Sequence, residues 1–284
     1  MTVAKIAMQA EEFRLIREYV AESMGLVLEE GTHKGLAAKL SPRLQELRLK
    51  SFAEYYSYLK FSPGRSAEWQ RLVPLITNNE TYFFREAAQL SVLVQQVLPA
   101  LKESKLARGE RSLRILSAGC STGEEVYTLA MLLLESGGFT WDWDVRIAGI
   151  DVDERVLDAA RQGSYGERAF WATEPHLVER YLKRQGDRYV VRDILRKWTS
   201  FTQGNLLDLA DTAAGEQYDV ILCRNVLIYF ADQTVQRVVD NFGALQRSGA
   251  YLFLGHSESL SRTQASYRPL RFPGAIIYQK RETA

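Results

Sequence analysis

The chain has 284 residues, 46% of them apolar and 25% charged, which is enough to bury a full core and leaves no compositional case for disorder. Its 36 basic and 35 acidic residues leave a formal charge of +1, which argues against wholesale electrostatic attraction to nucleic acid. No stretch reaches the roughly 18 apolar residues of a membrane span and no long apolar run follows the N-terminal charges, so neither a span nor a signal peptide is expected. The cysteines, Cys120 and Cys223, and the scattered histidines, His33, His176 and His256, lack metal-ligand spacing and predict reduced thiols in a cytoplasmic, metal-free protein.

Residues 10 to 75 read as four amphipathic helices, EEFRLIREYVAESMG, KGLAAKLSPRLQELRLK, SFAEYYSYLKFSP and AEWQRLVPLI, with stops at Gly25, Gly31 and Pro63-Gly64. They predict an N-terminal helical domain over 1–76. On its second helix, placed at about 34 to 50, Leu36, Leu40, Leu44 and Leu47 form a buried stripe. Lys39, Arg43 and Lys50 fall along one edge, interrupted by Glu46, as a solvated face or a docking face. Residues 77–112 predict a linker: a polar and aromatic joint, TNNETYFFRE, a helix over 86 to 103, and a charged stretch, KESKLARGERS. Phe83 and Phe84 are expected in the core.

From residue 113 strands and helices alternate, the signature of a parallel sheet covered on both faces. ILSAGCSTGEEVYTLAM, 115 to 131, is a strand, a tight loop and a helix, in which Gly119 and Gly123 let backbone approach a ligand. It carries neither the three-glycine dinucleotide turn nor a P-loop lysine, so pyrophosphate and triphosphate recognition are poorly supported, and a nicotinamide-dependent dehydrogenase with them. The next strand, in VRIAGIDVDERVLDAAR at 145 to 161, ends on Asp151, where an acid can accept both hydroxyls of a ribose. Glu124 and Glu125 at the helix start would repel pyrophosphate and suit a cationic ligand, or else only complement the helix dipole. Loop, acid and glutamates together fit S-adenosylmethionine.

A segment at about 164–200 is longer than a simple crossover needs. HLVERYLKR reads as helix and DRYVVRD and RKWTSF as short strands, either an elaborated crossover or a small antiparallel insert available to a partner. A third strand lies in WTSFTQGNLLDL, 198 to 209, and a fourth in YDVILCRNVLIYF, 218 to 230. A helix over 232 to 246, a strand in AYLFLG and a last one in GAIIYQK close the chain. Asp151, Asn205 and Asn225 all fall at strand ends, where such sheets bind ligands.

Four motifs, NNETYFFRE (78–86), SAGCSTGEEVYTLAM (117–131), CRNVLIYF (223–230) and GHSESL (255–260), resemble in order and spacing the CheR family of chemoreceptor glutamate O-methyltransferases, and the match runs through nearly the whole chain. Val126 stands where many relatives have proline, and Asn78-Asn79-Glu80 replaces the frequent TNLT wording, both with the polar positions intact. The resemblance implies an α/β, Rossmann-like S-adenosylmethionine-dependent methyltransferase domain over 113–284 with an inserted antiparallel β-subdomain and the N-terminal helical domain. It implies cofactor contacts from Asn79, Thr81, Arg85, Glu124, Asp151, Asn205-Leu206 and Asn225-Val226, with S-adenosylhomocysteine as product. It further implies Arg85 and Tyr229 as reaction-site residues, although Tyr229 also reads as a half-buried strand aromatic and Arg85 as a structural ion-pair residue. His256 reads as a structural or capping group rather than a base. The implied partner is the acidic signalling region of methyl-accepting chemoreceptors, met by Lys39, Arg43, Lys50 and the 164–200 insert. A catalytically weak receptor-docking module that retains the cofactor is the alternative.

Overall fold

A computed structural model describes residues 6–209, 213, 215–264 and 266–282. The chain divides into two units, one running through Asn78 and including Tyr229–Ala231, the other holding Asn79–Ile228 and the chain from Asp232 onward.

The first unit contains α1 (Ala10–Met24), α2 (His33–Glu46), α3 (Phe52–Phe61) and α4 (Arg65–Ile76). α1 begins where the Glu12 carboxylate accepts the Gln9 N–H at 2.7 Å and stops at left-handed Gly25. Ile16, Val20, Leu40, Leu44, Phe52, Tyr55, Leu59 and Leu72 are wholly buried, which turns the apolar faces of the four helices inward. Glu68, 1% exposed, sits in this core, where its carboxylate accepts from the Arg43 guanidinium at 2.6 to 3.0 Å and from the Tyr55 hydroxyl at 2.8 Å. Burial and the adjacent carboxylate push the Tyr55 hydroxyl up.

These contacts correct the basic edge expected on α2. The helix ends at Glu46, because Arg48 turns left-handed and the Leu49 N–H bonds back to the Leu44 carbonyl at 2.8 Å. Leu47 is therefore only half-buried, and Lys50 lies in the turn before α3 with its N–H on Glu54. Arg43 is committed to Glu68 and Glu46, and Lys39 donates to the Leu75 carbonyl at 2.8 Å. The three cations do not form one free stripe.

Tyr229–Ala231 join this unit by main chain and side chain alike. The Val27 N–H donates to the Tyr229 carbonyl at 2.8 Å, Leu26 bridges Phe230, and the Asn78 amide donates to the Tyr229 hydroxyl at 3.0 Å.

The second unit opens with the joint 79–86 and a helical run of α5 (Ala87–Val92), one π-turn (Leu93–Val97) and α6 (Leu98–Ala107), longer than the helix expected there. Its strands are β1 (Ser112–Ala118), β2 (Asp144–Asp151), β6 (Thr199–Gln203), β7 (Tyr218–Cys223), β8 (Gln246–Leu254), β9 (Tyr267–Phe272) and β10 (Ala275–Lys280). They form one sheet in the order β6-β2-β1-β7-β8-β10-β9. Pairing is parallel from β6 to β8 and antiparallel at β10 and β9, so the sheet is mixed rather than parallel throughout. β9, which contains Pro269, was not expected from the sequence. A proline is tolerated there because β9 is an edge strand.

α7 (Glu124–Ser136) and α8 (Glu154–Gln162) follow β1 and β2, and the helix Asp232–Ala244 precedes β8. Leu113, Ile115, Ile147, Val220 and Leu222 are buried in the sheet, against Val126, Leu129 and Ala130 of α7. The pairs Ala118↔Ile150 and Asp151↔Gln203 bring the ends of β1, β2 and β6 level, so their following loops share the carboxyl edge.

The segment after α8 is a small antiparallel sheet in the order β3-β5-β4, of β3 (Ser164–Gly166), β4 (Leu182–Gln185) and β5 (Arg188–Val191). The helix α9 (Pro175–Tyr181) ends earlier than expected, giving its last residues to β4, and the strand in RKWTSF is β6 of the main sheet. Phe83 is wholly buried and packs on Tyr165 and Phe170 of this insert at ring distances of 5.0 and 4.8 Å. Phe84 is half-buried.

Candidate methyl-transfer site

The loop after β1 folds back on β2. The N–H groups of Gly119 and Cys120 both donate to the Ile150 carbonyl, at 2.8 and 3.0 Å. Gly119 and Gly123 take φ values of +78° and +91°, and a Cβ on Gly119 would stand 2.5 Å from the Val226 side chain. The loop after β1 thus presses on the loop after β7, and only glycine permits it.

Asp151 closes β2. Its carboxylate accepts the Ser121 N–H at 2.8 Å and the Asp153 N–H at 3.0 Å. It is 8% exposed, and burial raises its pKa against the opposing pull of these two N–H groups. A carboxylate offers about four lone-pair positions, so two N–H bonds leave room for two hydroxyls. The Gly204 N–H donates to the Asp151 carbonyl at 2.9 Å, which brings Asn205 beside it. The Asn205 side chain accepts the Leu207 N–H at 3.1 Å and so starts a short turn containing buried Leu206.

The structure separates the two glutamates that the sequence left in competition. Glu125 accepts from the Arg224 guanidinium at 2.6 Å and from the Ser117 hydroxyl at 2.6 Å. Glu124 is 5% exposed, accepts from the Thr122 hydroxyl at 2.6 Å, and has no basic side chain within ion-pair distance among the described residues. Burial raises its pKa. Glu124 is a buried acid that a cationic ligand would stabilise as its anion, whereas Glu125 is a structural ion pair.

The joint 79–86 lies on the same edge. The Ser121 hydroxyl donates to the Asn79 carbonyl at 2.9 Å, and the Asn79 amide donates to Asp153 at 3.3 Å. Thr81 is half-buried in the same joint. The Arg85 guanidinium donates to the Glu80 carbonyl at 2.7 Å and stands 5.6 Å over the Tyr82 ring, and the Arg85 carbonyl accepts from Arg224 at 2.8 Å. Phe84, Glu86, Ser121 and Asn225 all have φ between +49° and +60°, so four of the five non-glycine residues with positive φ among the described residues belong to these loops.

After β7, Asn225 and Val226 form a turn gripped through its main chain by Glu258. The buried side-chain amide oxygen of Asn225 has no donor among the described residues, which leaves an acceptor for a ligand amino group. Glu86 accepts from the His256 ring at 3.0 Å, the structural role expected of that histidine. Cys120 and Cys223 are buried, and burial pushes both thiols up, which disfavours the reactive thiolate.

Asn79, Asp151, Asn205 and Val226 are thus brought together through direct contacts among their loops. Tyr229 belongs to the helical unit. Sequence reasoning missed Arg224 and Glu258. The available signal was an arginine ending an apolar run, which demands a buried acid, and an acid in the glycine-led GHSESL turn.

The residues fit S-adenosylmethionine. Asp151 would take the ribose hydroxyls, the anion of Glu124 the ammonium group, and the Asn225 side-chain amide oxygen a base amino group. A cradle of this kind on a mixed α/β sheet defines an S-adenosylmethionine-dependent methyltransferase. Residues 79–274 match the CheR methyltransferase SAM-binding domain and residues 11–77 the CheR methyltransferase all-alpha domain. Chemotaxis protein methyltransferase 2 of Pseudomonas aeruginosa is 39% identical, covering 94% of this chain and 92% of that one. Chemotaxis protein methyltransferase 2 of Vibrio cholerae is 33% identical (97% and 95% covered), and the Escherichia coli chemotaxis protein methyltransferase 32% (96% and 92%). The chain belongs to the CheR methyltransferase family.

Proposed function

We propose that the chain transfers the methyl group of S-adenosylmethionine to glutamate side-chain carboxylates of chemoreceptors, giving glutamate methyl esters. The observation that carries this reading is the end-to-end match, across both units, to chemotaxis protein methyltransferases. No helix among the described residues is long and apolar enough to cross a membrane.

A glutamate is already ionised near neutral pH, so the reaction needs no strong base. When bound, S-adenosylmethionine supplies a methyl group activated by a positively charged sulfur. The task left to the protein is to align a carboxylate oxygen and keep water away. Asn79, Thr81, Arg85, Glu124, Asp151, Asn205, Leu206, Asn225 and Val226 hold the cofactor. Tyr229 orients one substrate oxygen through its hydroxyl, which already accepts from Asn78. Arg85 shapes the charge around the substrate without a tight ion pair that would mask the nucleophile; its bond to the Glu80 carbonyl and its place over Tyr82 support a shared, indirect role. The exposed Lys39 and Lys50 and the antiparallel insert meet the acidic receptor.

The test is incubation with methyl-labelled S-adenosylmethionine and receptor signalling fragments, followed by mild alkali. Label released as methanol marks a carboxyl ester. Label that stays on the protein assigns another acceptor, and no label on any fragment leaves the docking-module reading in its place.

A further inference from the structure

The chain leaves β7 through left-handed Asn225 and enters a single turn of 3-10 helix, Leu227–Tyr229. The first N–H groups of such a turn need acceptors, and the preceding Val226 cannot cap them. They are met instead by Glu258, from the turn after β8. One carboxylate oxygen accepts the N–H groups of Val226 and Ile228 at 2.9 and 3.2 Å. The other accepts those of Asn225 and Gly255 at 2.9 and 2.6 Å. No basic side chain lies within ion-pair distance of Glu258 among the described residues, so four main-chain dipoles balance its charge. Gly255 makes the approach possible: a Cβ there would stand 2.8 Å from both the Asn225 nitrogen and the Glu258 carboxylate. Two residues of GHSESL, the glycine and the acid, thus serve one contact.

We propose that Glu258 is a positioning residue for methyl transfer, its carboxylate fixing the turn that carries Asn225 and Val226 for the cofactor and Tyr229 for the substrate. Both parts rest on the residue roles proposed above, but the cofactor part is measured by binding alone and so stands or falls apart from the Tyr229 part.

The test uses the full chain with Glu258→Gln, which keeps shape but puts an amide N–H against main-chain N–H groups, with Ser257→Ala in the same turn as the control. At a temperature where circular dichroism shows every variant folded, Glu258→Gln weakens S-adenosylhomocysteine binding about tenfold by calorimetry, and Ser257→Ala does not. With saturating cofactor and receptor fragment, kcat falls a further ~10-fold or more. In a Tyr229→Phe background the kcat loss from Glu258→Gln shrinks to about twofold, because the group it positions is already gone, while the affinity loss stays the same. A purely structural clamp would lower kcat equally in both backgrounds. That result overturns the proposal, as does a folded Glu258→Gln protein with wild-type cofactor affinity. If Tyr229→Phe alone leaves kcat unchanged, the reading of Tyr229 has failed, and the calorimetric arm still decides the cofactor part. Should Glu258→Gln not fold, Gly255→Ala, which drives the same carboxylate from Asn225, is judged by the same criteria.

Discussion

Glu68 in the helical unit and Glu124 and Asp151 at the carboxyl edge of the sheet are nearly equally hidden, at 1%, 5% and 8% exposed, yet their company differs. Glu68 meets the guanidinium of Arg43 and the hydroxyl of Tyr55. Among the described residues Glu124 and Asp151 meet only hydroxyl and main-chain N–H donors, and burial raises both pKa values. The contrast separates two uses of a buried acid. One whose cation is built into the fold holds the fold together, and one left without a cation keeps its unfavourable charge for a ligand to stabilise.

The largest effect should come from the paired acid. Glu68→Ala strands the Arg43 charge and the Tyr55 hydroxyl in the core and should lower stability by about 3 to 5 kcal/mol, with S-adenosylmethionine affinity unchanged in whatever remains folded. Denaturant titration beside calorimetry checks both halves. Next, Asp151→Asn should weaken S-adenosylmethionine and S-adenosylhomocysteine by roughly 1 to 3 kcal/mol and lower stability by less, because losing a charge that the ligand-free fold holds at a cost offsets the clash of the new amide with the Ser121 or Asp153 N–H. If stability falls as far as affinity, the two kinds of acid are not distinct. Tyr229→Phe should leave cofactor binding intact and slow turnover on receptor fragments. A change under about twofold corresponds to less than roughly 0.5 kcal/mol and would remove the orienting role.

The smallest effect concerns charge on the helical unit. Lys39→Glu should raise the apparent receptor KM modestly, most at low salt, since rim charges act over a Debye length of about 10 Å. Arg43→Glu should instead unfold the unit, because that cation is paired inside it. Equal, mild effects of both substitutions would restore the basic stripe.

This last contrast marks what the sequence could convey. Periodicity located the helices, β1, β2, β6, β7 and the site loops, because each stands on local pattern: a glycine turn, an apolar run, an acid at a strand end. It placed Arg43 and Lys50 on one helical edge because spacing alone cannot show the left-handed Arg48 that ends α2, nor the acid 25 residues on that takes the arginine. Glu125 and Arg224 lie 99 residues apart and Glu258 and Asn225 33, so both pairs exist only through the sheet order that levels the strand ends. The choice between Glu124 and Glu125 turned on one such distant partner.

The pH dependence of cofactor binding tests the role of the unpaired acids most directly. Burial raises the Glu124 and Asp151 pKa values in the ligand-free fold, so the stability their protonation lends is full below their unfolded values and is lost as pH rises through the raised ones. A cationic ligand prefers the anions, so affinity should weaken as pH falls through that same range. Calorimetry of S-adenosylmethionine binding in buffers of different ionisation enthalpy, from about pH 7 down to about pH 5, reads the protons exchanged. Weaker binding and net proton release are expected toward the acid end, both reduced in Glu124→Gln. Affinity and proton exchange that are the same in Glu124→Gln as in the wild type, across the whole range, would contradict that role.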